Sequence, residues 1–380
     1  MTLKGRCLNC IMRVFSIFPI DKKKVVFMSF EGMSISENPR AIYEQMIDSG
    51  QNFHYVWLLN DSKRCQISGK VVAPRSFKAI YHLATAQLWI DNCRKRGWVA
   101  KRKEQFYVQT WHGGPMIKKI EADVADKLPE TYVEKAINDS KMADLFLSGS
   151  QFETKIYKNS FWYNGNILEQ GLPTLSMYYE KQDKYYSKII KEYHADFGDH
   201  FLLYAPTFRV DKSMNSYLND FEMIRKILGE KYGGVWRILI RLHPNIQDQQ
   251  DKYSYNDWIL NASNYGEIGD LIMSSDIVIS DYSSCMFHAM VAGKRVLIYA
   301  TDIDMYNDDR GTYMKLEELP FPISKSDNEL IENIKLFDDL KYNDLVKDFI
   351  GEYGICSSIE SVANVTKYIT ENMYDNWMKK

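Results

Sequence analysis

Histidine, arginine and paired serines are side chains that hold or move phosphate, and this chain sets them in a recurring place. His112, Arg209, the pair Arg241 and His243, and the pair Ser283 and Ser284 each follow an apolar run that reads as a strand. A guanidinium neutralises phosphate oxygens through a planar fork of donors. An imidazole, with an ordinary pKa of ~6.5, takes a proton near neutrality. Serines where a strand hands over to a helix stand beside unpaired N–H groups that suit an anion. Each has a plainer explanation by itself. Ser283 or Ser284 caps a helix, His112 hydrogen-bonds the Gly-Gly-Pro turn, and the arginines form surface ion pairs. Their recurrence at strand ends in both halves favours a phosphate site in a cleft between two domains.

The elements that must position them follow from hydrophobic pattern. Gly269–Tyr299 reads as helix, strand, turn, helix, strand, with Ile277–Ile279 as a strand buried on both faces and Gly293 closing the second helix. Upstream, strands are predicted over Val25–Phe30, Tyr55–Leu59, Val71–Ala73, Ala86–Asp91, Phe106–Thr110 and Asp144–Leu147, with helices over Ala41–Ser49, Ser76–Thr85 and Thr131–Met142. After Gly171-Leu172-Pro173-Thr174 a polar, Tyr- and Lys-rich stretch to His200 reads as a joint. A second series follows: strands Phe201–Ala205, Trp236–Leu242 and Trp258–Leu260, and a helix Phe221–Tyr232. The alternation predicts parallel sheets covered by helices, with ligands at the carboxyl ends of the strands. The expected organisation is a basic amphipathic segment over 1–24, an acceptor-side α/β domain over 25–175, a donor-nucleotide α/β domain over 176–326, and C-terminal helices over 327–380.

A net charge of −2 across 380 residues gives no case for nucleic acid as a partner. The six cysteines are scattered with no secretory signal ahead of them, which fits a reduced compartment, and Cys7-x-x-Cys10 lacks a second ligand pair for zinc. Leu3, Cys7, Cys10, Ile11, Val14, Phe15 and Phe18 keep helical spacing, with Lys4, Arg6 and Arg13 between them. The run is too short to span a bilayer and suits an anionic membrane surface; the alternative is a helix packed on its own domain.

The stretches Gln109–Lys118, Tyr204–Arg209, Arg241–Pro244, Ser280–Ser284 and Arg310–Tyr313 together resemble the ordered signature of the CDP-glycerol glycerophosphotransferases, which make teichoic acids and related wall or capsule polymers. The resemblance runs from about Val25 to Tyr313. It implies an α/β, GT-B-like fold of two Rossmann-type domains facing across a cleft, held peripherally at the cytoplasmic face of the cell membrane. It implies transfer of glycerol phosphate from CDP-glycerol, or of another polyol phosphate from its CDP-polyol, to a lipid-linked saccharide or polyol-phosphate acceptor. It maps His112 and His243 as the essential histidines; independently of the resemblance, the chemistry of phosphoryl transfer makes His112 the expected base. Donor contacts map to Gly113, Gly114, Pro115, Met116, Pro206, Thr207, Arg241, Leu242, His243, Ser283 and Ser284, and Arg209, His288, Arg310 and Gly311 are further candidate substrate-binding residues. Two positions depart from the family pattern: Thr174 stands where an arginine is usual, and His288 where an aspartate is usual.

No cofactor or metal is expected, since arginine and histidine can neutralise the donor's charge. The acidic group Asp302, Asp304, Asp308 and Asp309 reads as a solvated loop. A ribitol donor, a nucleotide-sugar glycosyltransferase on the same scaffold, and a catalytically silent polymer-binding subunit stay open as alternatives.

Overall fold

The computed structural model describes residues 3–61, 67–114, 117–180, 182–209, 216–218, 220–303 and 311–374, without the side chains of 244, 245, 247 and 248. The chain divides into two compact units. The first takes Met1–His112, Ile120–Ser176 and Ile355–Lys380; the second takes Gly113–Lys119 and Met177–Gly354.

Seven parallel strands form the sheet of the first unit: β1 (Asp21–Met28), β2 (His54–Leu58), β3 (Lys70–Val72), β4 (Ala86–Asp91), β5 (Phe106–Gln109), β6 (Leu145–Ser148) and β7 (Asn166–Glu169). Their order is β3-β2-β1-β4-β5-β6-β7, so the winding reverses between β1 and β4, as in a Rossmann-type sheet. In the register, Val26 lies opposite Val56 on one side and Trp89 on the other. Side chains alternate between two cores because both faces are covered. On one face Phe27, Trp57, Leu88 and Ile90 pack with Ile42 and Met46 of α2 (Glu37–Asp48) and Val365 and Ile369 of the chain's last helix. On the other, Val26, Val56, Trp89 and Tyr107 pack with Ile80 and Leu83 of α3 (Phe77–Thr85) and Met12 of α1 (Leu3–Phe15). The N-terminal helix is therefore docked by one face on its own unit. Its other side leaves Leu3 and Val14 exposed among Lys4, Arg6 and Arg13.

β1 begins four residues earlier than the apolar run, because Lys24 enters the ladder and its ammonium donates to Thr85 Oγ1 at 2.8 Å. α4 (Glu130–Met142) is found where expected, whereas α5 (Gln151–Ser160) and the edge strand β7 are additions to the sequence reading. β7 is short and nowhere fully buried, so it carries little of the apolar signal that marks a strand.

The second unit holds six parallel strands: β8 (His200–Tyr204), β9 (Trp236–Ile240), β10 (Ile259–Asn261), β11 (Ile277–Ser280), β12 (Arg295–Tyr299) and β13 (Ile323–Ser324). Their order, β10-β9-β8-β11-β12-β13, repeats the same Rossmann-type winding, with the reversal between β8 and β11. The Tyr- and Lys-rich joint contains α6 (Asp183–Glu192), which buries Tyr185 and Ile189 and packs on α8 (Ile268–Ser274). α7 (Phe221–Tyr232) and α9 (Cys285–Val291) complete the layers around the sheet. Of the C-terminal helices, α10 (Asp327–Leu336) and α11 (Asp339–Tyr353) belong to this unit, while α12 (Ser361–Asn372) belongs to the first. Among the described residues no helix is long and apolar enough to cross a membrane.

Candidate active site

In the first unit the polar machinery gathers around His112, just past β5. Gln109, the last residue of that strand, accepts the Trp111 N–H at 2.9 Å and so fixes the turn. Trp111 holds a left-handed φ of 53°, which costs a non-glycine residue and needs such anchoring. Its ring stacks on the His112 ring at 4.7 Å, and the Arg94 guanidinium lies 5.2 Å from the same indole. Arg94 is buried in ion pairs with Glu121 at 2.9 Å and Asp139 at 3.1 Å. His112 Nδ1 is 2.7 Å from the Asn92 carbonyl oxygen. A carbonyl only accepts, so Nδ1 carries the proton and Nε2 of the neutral ring is the basic atom. Burial, aided by the Arg94 charge, holds this imidazole below its ordinary 6.5. It is uncharged at neutral pH and able to take a proton.

In the second unit the strand ends present a different set. Arg241 follows β9, and its Nη1 donates to the carbonyl oxygens of Tyr265 at 2.5 Å and Ala262 at 3.4 Å. Among the described residues no carboxylate lies within ion-pair distance of it. Two residues on, the His243 ring lies tilted against Phe208, 4.8 Å between centroids, and burial, then the charges of Lys118 and Arg241, lowers its pKa. Leu242 is buried in the core, so only its backbone reaches the strand-end surface; its N–H donates to Ser263 Oγ at 3.1 Å.

Arg209 is committed elsewhere. Its Nε and Nη2 donate to Asp302 at 2.5 and 3.1 Å, and its Nη1 donates to Asp281 at 2.9 Å and to Thr207. The Thr207 N–H donates to Asp281 at 2.8 Å, and the Tyr282 hydroxyl to Asp302 at 3.0 Å. This cluster ties the loops after β8, β11 and β12 together, and Pro206, in the first of them, is buried. All three guanidinium nitrogens of Arg209 are thus engaged within this cluster.

Ser283 Oγ accepts the Cys285 N–H at 3.3 Å, while Ser284, at the helix start, makes no capping bond. Ser284 has a close neighbour from a distant part of the sequence. A Cβ on Gly113, whose φ is +68°, would stand 2.7 Å from Ser284 Oγ, so only glycine fits there. Gly114 beside it is buried. The segment continues by pairing Ile117–Lys119 with Gly311–Tyr313: Tyr313 N–H donates to Ile117 at 2.7 Å and Lys119 N–H to Gly311 at 3.1 Å. The second unit therefore brings together Gly113, Lys118, Arg241, His243, Ser284 and Gly311.

His288, one turn beyond Ser284, is turned inward. Its Nδ1 lies 3.1 Å from the Tyr178 hydroxyl, and burial pushes its pKa down to about 4. Thr174 is buried in the first unit, where its N–H donates to Asn38 Oδ1 at 3.0 Å. Pro115, Met116, Arg310, Asp304, Asp308 and Asp309 lie outside the described residues. Among the described residues no three His, Cys, Asp or Glu side chains group as a metal site. Sequence reading passed over Asn92, Lys118 and Asp281, and it placed Asp302 in a solvated loop, whereas Asp302 is buried in its ion pair with Arg209. Lys118 and Asp281 sat inside quoted motifs, but Asn92 had no local signal.

Comparison with known proteins follows the same lines. Residues 10–370 match the family described as CDP-Glycerol:Poly(glycerophosphate) glycerophosphotransferase. The chain is 30% identical over 338 residues to the teichoic acid glycerol-phosphate transferase of Staphylococcus aureus, covering 84% of this chain and 85% of that protein. It is 29% identical over 336 residues to the teichoic acid poly(glycerol phosphate) polymerase of Staphylococcus epidermidis, covering 85% of this chain and 46% of that protein. The chain thus spans about half the length of that relative. A structure of the wall teichoic acid polymerase TagF soaked with CDPG matches 97% of this chain and 95% of that one, with a TM-score of 0.85 at 25% identity. The fold is TagF-like, a GT-B-like combination of two Rossmann-type units.

Proposed function

We infer the reaction from this premise: the chain belongs to the CDP-Glycerol:Poly(glycerophosphate) glycerophosphotransferase family and is a transferase of that type. It moves glycerol phosphate, or a related polyol phosphate, from a CDP-linked donor to a hydroxyl of a lipid-linked saccharide or growing teichoic-acid chain. The observation that carries this reading is Arg241, a partly buried guanidinium hydrogen-bonded to carbonyl oxygens and to no carboxylate among the described residues. A cation kept that way is suited to an incoming diphosphate. Lys118, His243 and the Ser284 hydroxyl supply further contacts to the phosphate oxygens.

Phosphoryl transfer asks for alignment and charge neutralisation more than for covalent help. His112 Nε2 takes the proton of the acceptor hydroxyl. The oxygen forms a bond to the phosphorus that bears the polyol, and the bond from that phosphorus to the bridging oxygen breaks. CMP leaves with that electron pair as a phosphate anion, so no strong general acid is required.

The test is CMP release from CDP-glycerol. His112→Ala is expected to lose ~10²–10⁴-fold in rate, the range for a positioned base. His243→Ala is expected to lose activity as well, and near-wild-type release by both variants refutes the assignment. A panel of CDP-polyols with a lipid-linked disaccharide, read by product mass, fixes the polyol and the number of units added.

The working place of the enzyme is an anionic membrane surface, bound peripherally. Support comes from α1 and the turn after it. Ile17 is 83% and Phe18 49% exposed beside Arg13, and Phe18 contacts the half-exposed Tyr81 of α3. Apolar side chains ringed by cations favour an anionic interface. Co-sedimentation with phosphatidylglycerol vesicles, weakened by Ile17→Glu, is the expected result.

A further inference from the structure

We infer that the side-chain amide of Asn92 belongs to the acceptor site and holds the attacking hydroxyl beside His112. This rests on the proposed reaction, in which His112 takes the acceptor's proton. Asn92 follows β4 and Phe30 follows β1, so the two face each other where the winding of the first sheet reverses, the place where such sheets take ligands. Asn92 Oδ1 accepts the Phe30 N–H at 2.8 Å, and its backbone carbonyl accepts from His112 Nδ1 at 2.7 Å. The first bond holds the side chain and the second ties its backbone to His112. Asn92 is fully buried, and its Nδ2 has no hydrogen-bond partner. A buried amide donor left unmade is uncommon in a folded protein and calls for an explanation.

The backbone around it gives the second observation. Phe30 and Glu31 both hold left-handed φ angles, 44° and 53°, without being glycine. That conformation brings the Phe30 ring edge-on to the His112 ring, 5.5 Å between centroids. Strain kept in this way clusters at functional sites. The chemistry matches a hydroxyl. Its oxygen accepts from Asn92 Nδ2 while its proton passes to His112 Nε2, so the oxygen's remaining lone pair attacks phosphorus. A neutral amide suits the place, because a carboxylate there would stabilise the imidazolium and withdraw the base.

The experiment uses the whole chain, CDP-glycerol, and a lipid-linked disaccharide carrying one glycerol phosphate. Asn92→Ala is expected to raise the acceptor KM and lower kcat, together by about tenfold in kcat/KM, as for the loss of one hydrogen bond in a site. The Kd for CDP-glycerol alone stays at the wild-type value. Asn92→Asp keeps the acceptor for the Phe30 N–H and moves the acid limb of the rate–pH profile to higher pH. If Asn92→Ala does not fold, the isosteric Asn92→Asp decides. Wild-type acceptor KM with an unmoved acid limb overturns the inference, and so does an Asn92→Asp variant that loses its fold and CDP-glycerol binding together. Failure of the underlying reaction looks different: the wild-type chain releases no CMP, or His112→Ala retains its rate.

Discussion

Both sheets are bridged where their strand order reverses, and by the same connection. In the first unit Asn92 Oδ1 accepts the Phe30 N–H at 2.8 Å; in the second Asp281 Oδ1 accepts the Thr207 N–H at 2.8 Å. Each bridge joins the loop after the fourth strand of its sheet to the loop after the first. The chemistry differs by one atom. The amide leaves the surroundings of His112 without added negative charge. The carboxylate needs a counter-charge, which Arg209 provides while also holding Asp302. One unit thus keeps a base uncharged, and the other uses one arginine for its framework and leaves a second, Arg241, without an acid partner among the described residues.

The largest expected effect comes from breaking the framework ion cluster. Arg209→Met leaves Asp281 and Asp302 buried without their cation and should cost about 3–5 kcal/mol in urea unfolding. A loss below 1 kcal/mol would mean that the cluster is relaxed by water. Arg241→Ala sharpens the contrast, because among the described residues it breaks no hydrogen bond to a carboxylate and removes only the field acting on Glu267. It should weaken CDP-glycerol binding by about 10–100-fold, the worth of hydrogen bonds to a charged group. Its unfolding midpoint should stay near that of the wild type, and a drop matching Arg209→Met would make both arginines structural.

The pH dependence comes next. Both imidazoles lie below their ordinary 6.5, so the acid limb of kcat/KM should have its midpoint below that value. A midpoint at or above 6.5 would show that substrate-free burial does not govern the base. The smallest effect concerns Glu153 at the start of α5, which accepts the Gly149 N–H at 2.7 Å. Burial pushes its carboxyl up to about 7 from an ordinary 4.5. A raised folded pKa means that its stability is whole below 4.5 and is lost as pH rises through 7. Glu153→Gln should therefore raise Tm at pH 8, by about 2–4 °C for each kcal/mol recovered, and change it little at pH 5. Equal shifts at both pH values would contradict this.

The parallel sheets were legible because strands such as Ile277–Ile279 are apolar on both faces and end abruptly in polar residues. β7 and β13 were missed for the opposite reason, being short and at sheet edges. α6 was hidden by a polar face that covers only two buried positions, Tyr185 and Ile189. At the candidate site the residue types were readable, but their engagements were not. Nothing local says that Arg209 is taken by Asp302 or that Arg241 donates to the carbonyl oxygens of Tyr265 and Ala262, because those partners are set by loop crossings. The same holds for His288, whose helical position gives no hint that it faces Tyr178. The contact of Gly113 with Ser284 is a tertiary fact that strand and helix periods do not encode.

The order of synthesis meets a difficulty in the final helix. Val365, Ile369 and Met373 complete the same core as Val25 and Phe27, which leave the ribosome more than three hundred residues earlier. Until that helix has been made, the face of the N-terminal sheet that packs on α2 stays only partly covered. Ile369→Ala, expected to cost about 2–5 kcal/mol, should lower soluble yield in growing cells more than it lowers recovery of purified chains refolded in one step.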